Sequence, residues 1–249
     1  MKTNWNYTEL APSYSKRPEY AEPGLQAMLT HAGVTSGAKV CDVGAGTGHL
    51  TLALSRHGLV VNAVEPNDAM RTIGIERTRA CPAVTWSTGA GEDTGMAAGA
   101  FALVTFGSSF NVTDRPRALA ETSRILKPEG WFACMWNHRD LSDPLQAEIE
   151  AAIGALVADY NYGTRRDDQT AVIDASELFG DVHRIEASVV HQVSVADCAD
   201  AWRSHGTLHR QAGNRFPDVM STIDRILAST GTEVIAIPYT TRIWLARKR

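Results

Sequence analysis

An α/β fold, with a mostly parallel sheet and helices on both faces, is predicted by three features of the sequence. A glycine-rich turn joins an apolar run to a helical one, an acidic residue closes the next apolar run, and short β-branched runs alternate with helices across the first half. Residues 23–32 read as a helix ending near Gly33, and 39–43 as a buried strand that leads through glycines into a helical run at 50–57. A second strand at 59–64 is followed by a helix at 67–78, with Asp68 near its first turn; 84–88 and 101–106 are the third and fourth strands. Asp114 can cap free N–H groups and Pro116 suits a first turn, so a helix starts there and runs to Leu126, stopped by Pro128 and Gly130. The fifth strand is 131–136. Helical 143–159 then leads to a polar, aromatic loop at 160–166 and to an alternating strand or hairpin at 183–195. Helical stretches at 196–211 and 216–230 precede a final strand at 239–247, expected to be antiparallel, with Ile243 and Leu245 alternating against Arg242 and Trp244.

With 249 residues, 44% hydrophobic and 21% charged, the chain suits a single globular domain with a substantial core. A net charge of −4 argues against a nucleic-acid-binding surface, and the terminal Arg247-Lys248-Arg249 is too short to reverse that. Cys41, Cys81, Cys134 and Cys198 lack CxxC or zinc-type spacing; Cys41 and Cys134 lie in apolar runs and read as reduced core thiols. No segment approaches the roughly 18 apolar residues of a membrane span, and 1–6 lacks the apolar stretch of a signal peptide. A cytoplasmic enzyme, without nucleic-acid or membrane partners and monomeric or homodimeric, is the expectation. Repeats and low-complexity tracts are absent.

Chemistry concentrates at the turn Asp42-Val43-Gly44-Ala45-Gly46-Thr47-Gly48. Glycines let the backbone turn tightly and let a ligand approach it closely. Glu65, closing the second strand, can accept hydrogen bonds from both hydroxyls of a ribose. Several cofactors share this arrangement. The spacing is GxGxG, however, not the GxGxxG of nicotinamide and flavin folds, and Asp42 precedes the first glycine. A pyrophosphate at a helix N-terminus gains nothing from that carboxylate, whereas a sulfonium ligand with a free ammonium group can use one.

This segment closely resembles the first motif of class I S-adenosylmethionine-dependent methyltransferases, whose fold is Rossmann-like. The resemblance continues for about 100 residues. Val64-Glu65-Pro66-Asn67-Asp68-Ala69-Met70 is similar to the family's acidic ribose motif, with Met70 placed near the adenine. Gly89-Ala90-Gly91-Glu92 resembles the segment edging the adenine, and Arg124-Ile125-Leu126-Lys127-Pro128-Glu129-Gly130 the turn after the fifth helix-strand crossover. Ala90 stands where many members carry an aspartate for the adenine amino group, so that contact falls to backbone or Glu92; Ala102 stands where an aspartate often opens the fourth strand. The resemblance implies S-adenosyl-L-methionine as cofactor, held by Asp42, Gly44, Ala45, Gly46, Gly48, Glu65, Pro66, Met70, Gly91, Glu92 and Phe106. Tyr14 and Arg17, in a segment that folds over the cofactor in small-molecule members, would meet the sulfonium and the carboxylate; the alternative is that both are surface residues of an N-terminal helix.

The resemblance divides the single domain (1–249) into an N-terminal helical cover (1–35), a cofactor-binding core (36–140) and a lid or acceptor-pocket insertion (143–214). Phe106-Gly107-Ser108-Ser109-Phe110-Asn111 faces the transferred methyl in such members, and it lacks the Asn/Asp-Pro-Pro-Tyr signature of base and amide methylation. His138, after the fifth strand, is a candidate general base oriented by Asp140, or an ordinary loop histidine bonded to it. Trp202, His205 and His209 at helical spacing would share one face, lining the acceptor pocket or packing on the sheet. Phe110, Trp136, Tyr160 and, with it, Tyr162 are further candidates for the pocket wall. No metal is expected. The expected reaction is in-line transfer of the methyl group to an oxygen or nitrogen of a small-molecule metabolite. Rival readings are a C- or carboxyl-methyltransferase, a non-catalytic S-adenosylmethionine-binding protein, and a nicotinamide-dependent oxidoreductase, which the loop spacing disfavours.

Overall fold

The computed structural model describes residues 7–249, so the signal-peptide reading of 1–6 and the start of the N-terminal cover lie outside the described residues. In chain order the elements are α1 (Ala11–Tyr14), α2 (Glu22–Ala32), β1 (Lys39–Val43), α3 (His49–Arg56), β2 (Val60–Val64), α4 (Asp68–Arg77), β3 (Val84–Ser87) and β4 (Phe101–Gly107). The second half adds α5 (Arg115–Ile125), β5 (Leu126–Arg139), α6 (Pro144–Leu156), α7 (Thr170–Asp174), β6 (Phe179–Ser194), α8 (Val195–Arg203), α9 (Gly206–Ala212), α10 (Phe216–Ser229) and β7 (Val234–Lys248).

The sheet order is β3-β2-β1-β4-β5-β7-β6, with β7 antiparallel to both neighbours and every other pairing parallel. Strand order reverses between β1 and β4, where a ligand crevice opens. Register matters there. Val43 stands opposite Val64, so the glycine turn and Glu65 leave the sheet side by side; Gly107 stands opposite Met135, which does the same for Ser108 and Trp136.

Strand residues alternate between two cores, the period of a pleated strand. Phe132, Cys134 and Trp136 pack on one face with α5 and Phe179, while Ala133 and Met135 pack on the other with Leu25 and Met28 of α2. Caps fix where the helices begin: Asn67 accepts from Met70 N–H, Asp114 from Arg117 N–H, Asp143 from Gln146 N–H and Ser194 from Asp197 N–H. Gly33, at φ +63°, ends α2.

A third core lies beyond the sheet edge. Ile149 and Ile153 of α6, Trp202 of α8, Leu208 of α9 and Ile223 of α10 close on Val193, Ile237 and Tyr239 from the ends of β6 and β7. Topology dictates its place. Because β7 is antiparallel, Ser194 at the end of β6 pairs with Val234 at the start of β7, so the helices between them must sit over the ligand edge.

Several expectations change. The fifth strand continues to Arg139, because β7 pairs with it as far as Tyr239. Of the strand and hairpin readings of 183–195, the strand is the one found: 183–194 lie in β6, and Val195 starts α8. The stretch 143–214 is not one insertion, since it contains β6, and the helical cap over the site also takes in α10. The helix expected at 196–211 breaks at Ser204–His205, where His205 Nδ1 caps α9 by accepting from Leu208 N–H. Of the N-terminal cover, Tyr14 and Arg17 reach the ligand edge, whereas α2 packs on the sheet through Leu25 and Met28.

Gly74 lies inside α4, where alanine is ordinarily the better residue by about 1 kcal/mol. A Cβ there would collide with the Trp86 ring, which Thr78 Oγ1 fixes by accepting from its Nε1 at 2.9 Å. Gly74→Ala is therefore expected to lower stability by about 1–3 kcal/mol. Urea unfolding checks this; equal or greater stability would refute it.

Candidate active site

A cavity of about 550 Å³ opens at the carboxyl ends of the central strands. Gly44 and Gly46 line it at φ +66° and +57°, a region costly for other residues. A Cβ on Gly44 would lie 2.5 Å from Ser109 Cβ, so side-chain bulk is excluded there on steric grounds too. Glu65 is 7% exposed, and its two oxygens accept from Gly46 N–H and Asn67 N–H at 2.8 Å each. Each oxygen keeps acceptor capacity facing the cavity. Burial raises the Glu65 carboxyl above its usual range.

Asp42 is fully buried, its oxygens accepting from Thr51 Oγ1 at 2.6 Å and Thr105 Oγ1 at 3.1 Å. Burial pushes it up to about 6 despite those bonds. Asp42 lines the cavity and at the same time ties β1 to α3 and β4. Gly48 does not line the cavity. It starts α3 at φ +83° and packs on Trp86. Pro66, Met70, Gly91, Glu92 and Phe106 all line the cavity; one Glu92 oxygen accepts from Asp114 N–H at 2.6 Å.

Tyr14 and Arg17 meet over the glycine turn, with the guanidinium 4.2 Å from the ring centroid. Arg17 also donates from Nε to Ser204 Oγ and from Nη2 to Ser204 O, at 3.0 and 2.9 Å, joining the N-terminal segment to the cap. Two further residues complete this side, Tyr20 and, from the loop expected to face the methyl, Ser108. Ser108 adopts φ +59°, a strained conformation at the end of β4, and its hydroxyl is 3.0 Å from that of Tyr20.

At the other end, His138 lines the cavity at 6% exposure, and its Nε2 has no hydrogen-bond partner among the described residues. Burial, with the guanidiniums of Arg166, Arg242 and Arg165, pushes it down to about 3. Asp140 does not orient it, because that carboxylate is exposed and accepts from Ser142 N–H and Oγ–H. His205, 2% exposed, accepts from Leu208 N–H at 3.2 Å and lies 2.8 Å from Arg165 Nη2. Burial and the nearby arginines hold it well below its ordinary value. Trp136 lines the cavity and donates to Asn111 Oδ1 at 3.0 Å.

Five expected wall residues lie elsewhere, among them Tyr162, beneath the Arg166 guanidinium. Phe110 is fully buried against Phe106 and Phe132, and Tyr160 packs in the cap core. Trp202 is buried beneath the Arg139 guanidinium at 3.7 Å, and His209 is exposed against Phe216, because the break before α9 destroys the shared face. Sequence reasoning missed Tyr20, Ser108, Arg139, Arg165, Arg166 and Tyr239. The paired arginines beside Tyr162 were the one available signal.

Residues 41–134 match the family described as a methyltransferase domain. An uncharacterized methyltransferase of Mycobacterium bovis is 32% identical over 124 residues, covering 50% of this chain and 48% of the relative. A demethylmenaquinone methyltransferase of Tropheryma whipplei is 31% identical over 114 residues, covering 45% and 48%. The chain thus spans about half the length of these curated relatives. Among solved structures, the [4+2]-cyclase SpnF shares the fold with a TM-score of 0.60 at 16% identity, over 97% of this chain and 94% of that one. No helix among the described residues is long and apolar enough to cross a membrane.

His49 lines the same cavity and is likewise pushed down to about 3 by burial, so it joins His138 and His205 in remaining neutral well below the ordinary 6.5. As pH falls through 6.5 the unfolded chain takes up protons that the folded chain refuses, and stability is lost. Asp42, held near 6, and Glu65 act in the opposite sense at lower pH and offset part of that loss. Each uncompensated proton is worth up to about 1.4 kcal/mol per pH unit. Denaturant unfolding between about pH 7 and 5 should show falling stability, less steep in His138→Gln; a flat wild-type profile would contradict the assignment.

Proposed function

We propose that this chain, whose residues 41–134 match a methyltransferase domain, is a class I S-adenosylmethionine-dependent methyltransferase that transfers the methyl group of S-adenosyl-L-methionine to an oxygen or nitrogen of a small-molecule metabolite. One observation carries the reading. A single cavity runs from the glycine turn and Glu65 to His138 and the cap, so a bound cofactor and an acceptor would share one enclosed space.

The residues present fit the cofactor. Gly44 and Gly46 leave the cradle free of side chains, and Glu65 has acceptor capacity for two ribose hydroxyls. Pro66, Met70 and Gly91 offer an apolar slot for a base. The Tyr14 ring suits a sulfonium, and Arg17 Nη1, only 3.5 Å from Tyr14 Oη, is the guanidinium nitrogen left for a carboxylate. When bound, the cofactor supplies a methyl carbon already joined to a good leaving group. The protein's part is therefore to hold the acceptor in line and exclude water. Tyr14, Arg17 and the α8–α9 cap close over the site, and Ser108 and Tyr20 present hydroxyls beside it. His138, neutral and with Nε2 unpaired, is the group to accept a proton from a hydroxyl acceptor. Methylation at carbon is the second reading, favoured by similarity to a ubiquinone/menaquinone biosynthesis C-methyltransferase of Caulobacter vibrioides, 36% identical over 94 residues.

S-adenosylhomocysteine is expected to bind in the micromolar range, roughly −8 kcal/mol, with no heat from NAD. Labelled methyl should pass from S-adenosylmethionine to one member of a metabolite panel; binding without any transfer would leave a sensor, and no binding at all would overturn the proposal. Glu65→Gln should weaken S-adenosylhomocysteine by about tenfold or more, as loss of charged hydrogen bonds implies. Because Glu65 also holds Gly46 and Asn67, glutamine, which keeps one carbonyl oxygen, is a better probe than alanine.

A further inference from the structure

Charge is divided along the cavity. The carboxylates of Asp42, Glu65 and Glu92 lie where β1, β2 and β3 end, each engaged by hydroxyl or backbone donors. Arg139, Arg165 and Arg166 line the opposite end, over β5 and β7. Other arginines among the described residues pair with carboxylates, as in Arg56–Glu19, Arg124–Glu121 and Arg203–Asp224. These three do not. Among the described residues their partners are aromatic faces and neutral acceptors. Arg139 lies 3.7 Å from the Trp202 ring and Arg166 3.8 Å from Tyr162, donating to Arg139 O at 3.4 Å; Arg165 meets His205. Glu150 of α6 acts on Tyr160 and Tyr162, and no ion pair joins it to these arginines among the described residues.

Such an arrangement costs stability. Three cations share a poorly solvated space in a chain whose net charge is −4. Arg165 is lowered to about 10 by burial and by Arg17 and Arg139. The imidazole of His205 faces donors at both nitrogens, Leu208 N–H and Arg165 Nη2, although a neutral ring accepts at only one. Unbalanced charge of this kind, kept at one end of a cavity, is characteristic of a binding site for the opposite charge. An independent observation points the same way: His138, 6% exposed, lines this end of the cavity and its buried Nε2 has no partner among the described residues.

On the methyl-transfer reading, we infer that the acceptor carries an anionic group, a carboxylate or a phosphate, seated against Arg139, Arg165 and Arg166 beside His138. Stacking on Trp202 and Tyr162 fixes the planes of two guanidiniums without consuming their N–H edges, the geometry for bidentate recognition of such anions. Oxygens held by guanidiniums are poor nucleophiles, so the anion is a handle and the methylated atom lies elsewhere on the acceptor. Its binding also neutralises two of the cations that keep His138 from protonating, Arg166 and Arg165.

Calorimetry with 4-hydroxybenzoate, phenyl phosphate and uncharged 4-hydroxybenzamide, at constant ionic strength and with or without S-adenosylhomocysteine, tests this. Binding of one or both anions but not the amide is expected, and the preferred anion identifies carboxylate or phosphate. Arg165→Gln/Arg166→Gln should weaken that anion by about tenfold or more, leave S-adenosylhomocysteine affinity unchanged and retain the wild-type circular dichroism. Arg166→Gln alone, which spares the His205 contact, repeats the test if the double variant is misfolded. Equal binding of the amide, no binding of either anion, or undiminished anion binding in the folded variant overturns the inference. Failure of S-adenosylhomocysteine to bind would instead sink the methyl-transfer reading, and the anion arm measured without it remains separately informative.

Discussion

β7 runs antiparallel between β5 and β6, pairing from Trp131↔Arg247 to Arg139↔Tyr239 on one side and from Val182↔Ala246 to Ser194↔Val234 on the other. Both ends of the cavity depend on that reversal. It extends β5 past the point where β4 stops, carrying His138 and Arg139 to the rim. It also returns the chain to the ligand edge at Ser194 and Val234, leaving α8, α9 and α10 nowhere to pack except over the site. A parallel seventh strand would begin at the far edge, and the connecting helices would cover a sheet face instead.

Beneath that cap the parallel half of the sheet works by register. Val43 opposite Val64 brings the glycine turn within reach of Glu65, and one carboxylate then fixes the turn through Gly46 N–H and the start of α4 through Asn67 N–H. Asp42 performs the matching task inside, bonding hydroxyls from α3 and β4. The two acids preceding and facing the glycines are thus structural as well as chemical, each tying neighbouring segments together by hydrogen bonds.

Electrostatics separates the two halves of the cavity. Carboxylates gather at the parallel strands, where Arg17 and His49 also line the cavity, and Arg139, Arg165 and Arg166 gather with His138 and His205 at the antiparallel ones. Within a poorly hydrated cavity such separation acts strongly on any charged ligand. It also explains how a chain of net charge −4 presents a cationic wall: that wall is drawn from α6–α7 and β5, segments with no motif of their own.

The glycine turn, Glu65 and the cap at Asp114 were legible because their chemistry is local: a turn needs glycine and a helix start needs an acceptor within a few residues. The short apolar runs at 101–106 and 131–136 likewise revealed buried strands. Local reasoning failed where distant segments decide. Trp202, His205 and His209 have helical spacing, but the chain breaks at Ser204, where Arg17 binds from the far end of the sequence. Phe110 looked like a pocket wall and is core, because Phe106 and Phe132 reach it from neighbouring strands. The sequence by itself determined the parallel core and its cofactor cradle, since both follow from spacing within short segments. Only tertiary structure decided the acceptor end. There Arg139, Arg165, Arg166 and His138 come from β5 and a loop beyond α6, and nothing in their sequence neighbourhoods records that β7 would draw them together.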